Sequence, residues 1–179
     1  MNDDTPAPAQ ATFRTGPIAL LLAVVLLTFV ILEFVSRPYN NYVWYRLMDW
    51  GHIPLFGFLA VVTLIVIRDL FPNRGTWLEH YALAATVATI LGALSELRQY
   101  FGLRNADMED LGRDVIGVVS FLLIYSLIDK CKDLPWSNNI LAKLVILLTA
   151  LGLFIYGSMP LIFTTYNYVI RENILPAIF

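Results

Sequence analysis

Five apolar runs, at 17–35, 53–67, 81–94, 115–128 and 140–156, divide this 179-residue chain, and 58% of its residues are hydrophobic. Soluble domains carry roughly 45–50%. In lipid, every backbone amide has to find its partner within the protein, so each run must be helical; an isolated strand would leave its edge groups bare. The expected fold is all-α: a polytopic membrane helical bundle with five transmembrane helices, occupying 17–157 as one domain. Pro17 suits the first turn of its helix, where no amide proton is needed. Residues 1–16 are polar, rich in Pro and Ala and without hydrophobic periodicity, which predicts a disordered cytoplasmic tail. Asp3 and Asp4 spoil a signal-peptide n-region, and nothing like Ala-x-Ala follows Val35, so the first run reads as an uncleaved span. Residues 158–179 read as an extracytoplasmic segment; its apolar ending at 174–179 suggests a continuation.

The middle three runs are too short. A span needs about 20 residues to cross the hydrocarbon core. The deficit has to come from flanking residues: Asp49, Trp50 and His52 at the second run, 95–101 at the third, 110–114 at the fourth. Counting spans then places the end of the first, the start of the second, the end of the third and the start of the fourth on one side. Glu33, Asp49, His52, Glu96, Gln99, Arg104, Asp110 and Asp114 share that membrane face, whichever way the chain is inserted.

Of the 12 Lys/Arg and 14 Asp/Glu residues, eight fall within positions 96–114. Ionisable groups at membrane depth are costly and mark function by default. The positive-inside bias ties at six cationic residues a side. All three lysines (Lys130, Lys132, Lys143) lie on the side of the amino terminus, however, while Arg98, Arg104 and Arg113 sit among carboxylates that can hold them for other reasons. The expectation is an amino terminus inside and a polar cluster outside. The aromatic stretch 37–46 and Tyr166 and Tyr168 fall on that outer side, as an interfacial belt or a carbohydrate-stacking surface.

The third run carries a small-residue stripe, Ala85, Ala88, Gly92, Ser95 and Gln99, that permits close helix approach. On the fourth, Asp107, Asp110, Asp114 and Gly117 repeat the same three-four-three rhythm. Gly92 and Gly117 are the candidate helix-packing positions. The candidate functional or ligand-binding residues are Asp49, His52, Glu96, Gln99, Arg104, Asp107, Asp110 and Asp114. One His among carboxylates can bind a divalent cation or act as an acid/base pair, and nothing in the spacing decides between them. Each residue also has a plain reading: headgroup-level His, helix-end acids favoured by the positive end of the fourth helix, arginines as counter-ions. The chain has no Gly-rich phosphate loop, His-Glu-x-x-His, Gly-x-Ser-x-Gly or Cys pair, so no catalytic residue and no cofactor is firmly implied. His80 reads as interfacial. Cys131 is the only cysteine, which excludes an internal disulfide. A net charge of −2 without a basic block gives no support for a nucleic-acid partner; the expected partners are the lipid bilayer and an envelope lipid or glycan.

Glu96-x-x-Gln99, Arg104, Asp110, then Asp114-x-x-Gly117, with His52-x-x-x-Phe56 upstream, resembles the pattern of the VanZ-like family of bacterial membrane proteins over roughly 49–128. The resemblance implies a bacterial inner-membrane protein of the cell envelope, linked to antibiotic resistance of the glycopeptide (teicoplanin) type. Four positions depart from that pattern. Met48 and Asp49 stand in place of an Asp-Lys pair, Asp114 in place of Asn, and Phe121 in place of Gly. The site is thereby more negative than the family pattern, which favours cations over anions.

Three functions are compatible with these features. The first is an envelope protein that binds a lipid, glycolipid or antibiotic-type ligand through the cluster. The second is a hydrolase or transferase acting on a lipid-linked substrate through His52 with Glu96 or Asp110. The third is an assembly subunit whose charges are consumed by internal pairs. A His–carboxylate hydrogen bond beside a cleft favours the second.

Overall fold

The computed structural model describes residues 15–34, 42–72, 74–101, 108–129 and 134–173. It is built of five helices: α1 (Thr15–Phe34), α2 (Tyr42–Leu70), α3 (Trp77–Phe101), α4 (Met108–Ile128) and α5 (Ile140–Asn173). Four of them, α2 to α5, are long and apolar enough to cross a membrane; the apolar part of α1, Gly16–Ile31, is shorter. The chain is thus a multi-pass helical membrane protein by length and composition.

The short middle runs are lengthened by their polar flanks. Helix α2 takes in Asp49, Trp50 and His52, α3 runs on through 95–101, and α4 begins ahead of Asp110. Helix α2 also starts earlier than the sequence reading expects. Residues 42–46, read as part of an outer loop, are helical, because nothing between Tyr42 and Trp50 breaks a helix. Likewise α5 does not stop with its apolar run at 156 but continues to Asn173 through Pro160. A proline removes one helical hydrogen bond, a loss that spanning helices tolerate.

Helix α2 is the centre of the bundle: 56% of its spanning window is buried, against 11% for α5. Its buried face, Phe56, Leu59, Ala60, Leu64 and Ile67, packs on Ala84 and Ala88 of α3 and on Val118 and Leu122 of α4. On α3 the buried stripe is Ala84, Ala88, Gly92, Ser95 and Glu96, one position earlier at its start than Ala85. Leu26, Leu83, Leu148 and Phe163 are among many large apolar side chains left exposed, as lipid-facing positions require.

Two glycines let α4 and α2 touch backbone to backbone. A Cβ on Gly117 would collide with the carbonyl of Ile53, and one on Gly57 would meet the ring of Phe121 and lie 2.9 Å from the carbonyl oxygen of Gly117. On α5, Gly157 packs close to Ile53 as well: a Cβ there would lie 2.6 Å from the Ile53 Cδ1. Trp50 adds a second tie to α5, donating its indole N–H to Ser158 Oγ at 2.8 Å and meeting Phe154 edge-on.

The end of the bundle remote from His52 has its own clasp. Arg68 of α2 pairs with Asp129, just past α4, at 2.6 Å, and Tyr81 of α3 donates its hydroxyl to the same carboxylate at 2.8 Å. The Arg68 guanidinium also lies over the Tyr81 ring, 5.2 Å from its centre. Gly75, at φ 81°, turns the chain into α3, and Thr76 with Glu79 closes a reciprocal capping box there. His80 faces away from the cluster, its Nε2 2.7 Å from the Arg74 carbonyl.

Candidate functional site

At the opposite end, three helices bring their polar residues together. His52 comes from α2, Glu96 from α3, and Asp110 and Asp114 from α4. All four are buried, His52 at 3% exposure and Asp114 at 0%. The spacing explains the local arrangement. Asp110 and Asp114 are one turn apart and share a face of α4. Glu96 closes the small-residue stripe of α3, whose Gly92 lets α4 approach.

The imidazole of His52 stands between two carboxylates. Its Nδ1 is 2.8 Å from Asp114 Oδ1, and its Nε2 is 3.8 Å from Asp110 Oδ2. The ring is stacked on Phe56 one turn further along, with centres 6.1 Å apart. Phe56 therefore helps hold the ring plane. The second oxygen of Asp114, Oδ2, is buried with no hydrogen-bond partner among the described residues. It points at α3, 2.7 Å from where a Cβ on Gly92 would sit. One ligand atom each from His52, Glu96 and Asp114 lie within 4.8 Å of one another, a grouping that could hold a metal ion.

Around this centre, Gln99 is half-buried and its amide nitrogen donates to Glu96 Oε1 at 3.2 Å. Asp49 is buried one turn before His52, and its Oδ2 lies 3.6 Å from Arg46 Nη1. Asp49 thus faces the start of its own helix and is not in the His52–Glu96–Asp114 group. Arg104 and Asp107 lie outside the described residues.

One contributor is absent from the candidate set drawn from the sequence. Arg113 is buried and reaches back along α4, with Nη1 on Asp110 Oδ1 and Nη2 on Glu109 Oε2 at 2.9 Å. The signal was present in the sequence: an Arg three and four residues after two acids can fork to both on one helix face. The motif spacing directs attention to Arg104 instead.

Chemically, an imidazole with one carboxylate at hydrogen-bond distance and a second 3.8 Å from its other nitrogen can hold or pass a proton, and the same atoms can take a cation. Acceptors outnumber donors, so the site suits ligands that donate. Comparison of the chain with protein-family models, with curated proteins and with solved structures finds no match.

Proposed function

We propose that the chain is a VanZ-like protein of a bacterial inner membrane that binds the headgroup of an envelope glycolipid through His52, Glu96, Asp110 and Asp114. The observation carrying this reading is the convergence of those four buried side chains from three helices at one end of the bundle. Structural pairing alone satisfies Asp110 through Arg113, yet leaves Asp114 Oδ2 open. Hydroxyl and ammonium groups of a glycan headgroup donate hydrogen bonds to such oxygens; a bare phosphate would be repelled by the carboxylates. Kinship with the VanZ-like family is supported by the motif spacing, and the link to glycopeptide resistance follows from that kinship. The test is lipid analysis of the full chain extracted in mild detergent. An amino- or hydroxyl-rich glycolipid should co-purify with the parent and be depleted in Glu96→Gln; equal lipid content in both overturns the reading.

The reading includes an orientation, amino terminus inside and cluster outside. A cysteine at exposed Met108 in a Cys131→Ala background should react with an impermeant thiol reagent in intact cells, and one at exposed Asn138 should not. The reverse pattern inverts the topology.

A second reading is favoured by the 2.8 Å contact of His52 with Asp114. A base oriented by a carboxylate is the arrangement used in acid–base catalysis. The chain would then hydrolyse or transfer a lipid-linked substrate, with His52 as base and Asp110 or Glu96 assisting. His52→Gln would abolish turnover of a glycolipid that still co-purifies.

A further inference from the structure

We infer that His52, Glu96 and Asp114 form a binding site for a divalent transition-metal ion, tying α2, α3 and α4 together. The three side chains are buried, and one ligand atom from each falls within 4.8 Å of the others. Metal–ligand bonds of about 2.0–2.2 Å can be made from such a grouping by small side-chain adjustments. Acidic clusters alone are common, and here a second observation points to a ligand. Asp114 has 0% exposure, and its Oδ2 has no hydrogen-bond partner among the described residues. A carboxylate oxygen with nothing to accept is costly at this depth. That oxygen is directed at Gly92, one turn before Glu96 on α3, where the lack of a side chain leaves it space. The nearby guanidinium of Arg113 is already taken up by Asp110 and Glu109.

The donor set chooses the ion. One imidazole nitrogen with two carboxylate oxygens suits Mn2+, Fe2+ or Zn2+ better than Mg2+ or Ca2+, which take oxygen ligands. Three protein ligands leave a coordination position open, into which an oxygen of a bound molecule could fit. Gln99, donating to Glu96 Oε1 at 3.2 Å, would orient that ligand in the way outer partners of metal ligands do. The site shares residues with the headgroup reading and does not require a headgroup.

The experiment uses the full chain in detergent, with any affinity tag removed, stripped with EDTA and titrated with Mn2+ alone. Elemental analysis should find one Mn2+ per chain, and the melting temperature should rise on loading. Pulsed EPR should detect nitrogen coupling from one imidazole, unchanged in His80→Asn, because His52 and His80 are the only two histidines. Glu96→Gln should lose stoichiometric uptake, and Gln99→Ala should bind about tenfold more weakly. Should Glu96→Gln fail to fold, the nitrogen coupling of the unsubstituted chain still decides. Absence of uptake, or uptake without nitrogen coupling, overturns the site. A chain that takes up Mn2+ but carries no glycolipid defeats the headgroup reading alone; one that carries glycolipid but takes up no metal defeats the metal site alone.

Discussion

His52 Nδ1 and Asp114 Oδ1 stand 2.8 Å apart across the contact between α2 and α4, both withdrawn from the surface. Either residue alone would be a buried polar group with a lost partner. His52→Leu or Asp114→Leu should therefore each destabilise the bundle by about 3–5 kcal/mol. The double variant should cost clearly less than the sum, because an apolar pair leaves nothing uncompensated. Thermal unfolding in detergent measures the cycle; additive losses would mean that the two residues do not act as a pair.

Arg113 should matter more than its surface neighbours. Arg113→Ala leaves Asp110, at 3% exposure, without its guanidinium, and should cost about 3–5 kcal/mol. Lysine should restore only part of this, since it cannot fork to Asp110 and Glu109 together. Glu109→Gln is the control: its side chain is 71% exposed and its ion pair is worth about 0–1 kcal/mol. Equal melting of parent and Arg113→Ala would show that Asp110 does not depend on Arg113.

Gly117 and Gly112 lie on the same helix and should respond in opposite directions. A methyl at 117 strikes the Ile53 carbonyl, and a methyl at 112 meets nothing within 4 Å. Gly117→Ala should cost about 1–3 kcal/mol by forcing α2 and α4 apart. Gly112→Ala should be neutral or gain up to about 1 kcal/mol from helix propensity. Paired melting curves check both signs.

At the remote clasp, Tyr81→Phe removes a hydrogen bond to the carboxylate of Asp129 and should cost about 1.5–3 kcal/mol. Asp129→Asn, which also weakens the pairing with Arg68, should cost at least as much. If Tyr81→Phe melts with the parent, Arg68 alone holds Asp129.

The helices were legible because apolar runs in lipid have one solution, and the lengthening of α2, α3 and α4 by their polar flanks follows from bilayer thickness. The meeting of His52, Glu96, Asp110 and Asp114 at one face follows from counting spans. Which acid faces which ring nitrogen of His52 was not legible. That pairing is set by how α2 crosses α4, and the crossing depends on Gly117 seating against the Ile53 carbonyl, a contact that no spacing rule specifies. The early start of α2 was hidden because aromatic and charged residues at 42–46 read equally as a membrane-interface loop. Arg113 was legible as a counter-ion to the acids but stayed out of the candidate set because it lies beside the motif, not in it.

Helices α2 and α4 run in the same direction and are fastened twice, by His52 with Asp114 and by Arg68 with Asp129. The fastenings are 16 residues apart on α2, about 24 Å along the axis. Sliding one helix past the other by a turn would break both at once and unseat Gly117 from Ile53. Rocking motions of the sort that carry solutes across a bilayer are therefore closed to this pair. Any movement that admits or releases a ligand is left to α1, α3 or α5, while the α2–α4 unit stays a rigid anvil beside them.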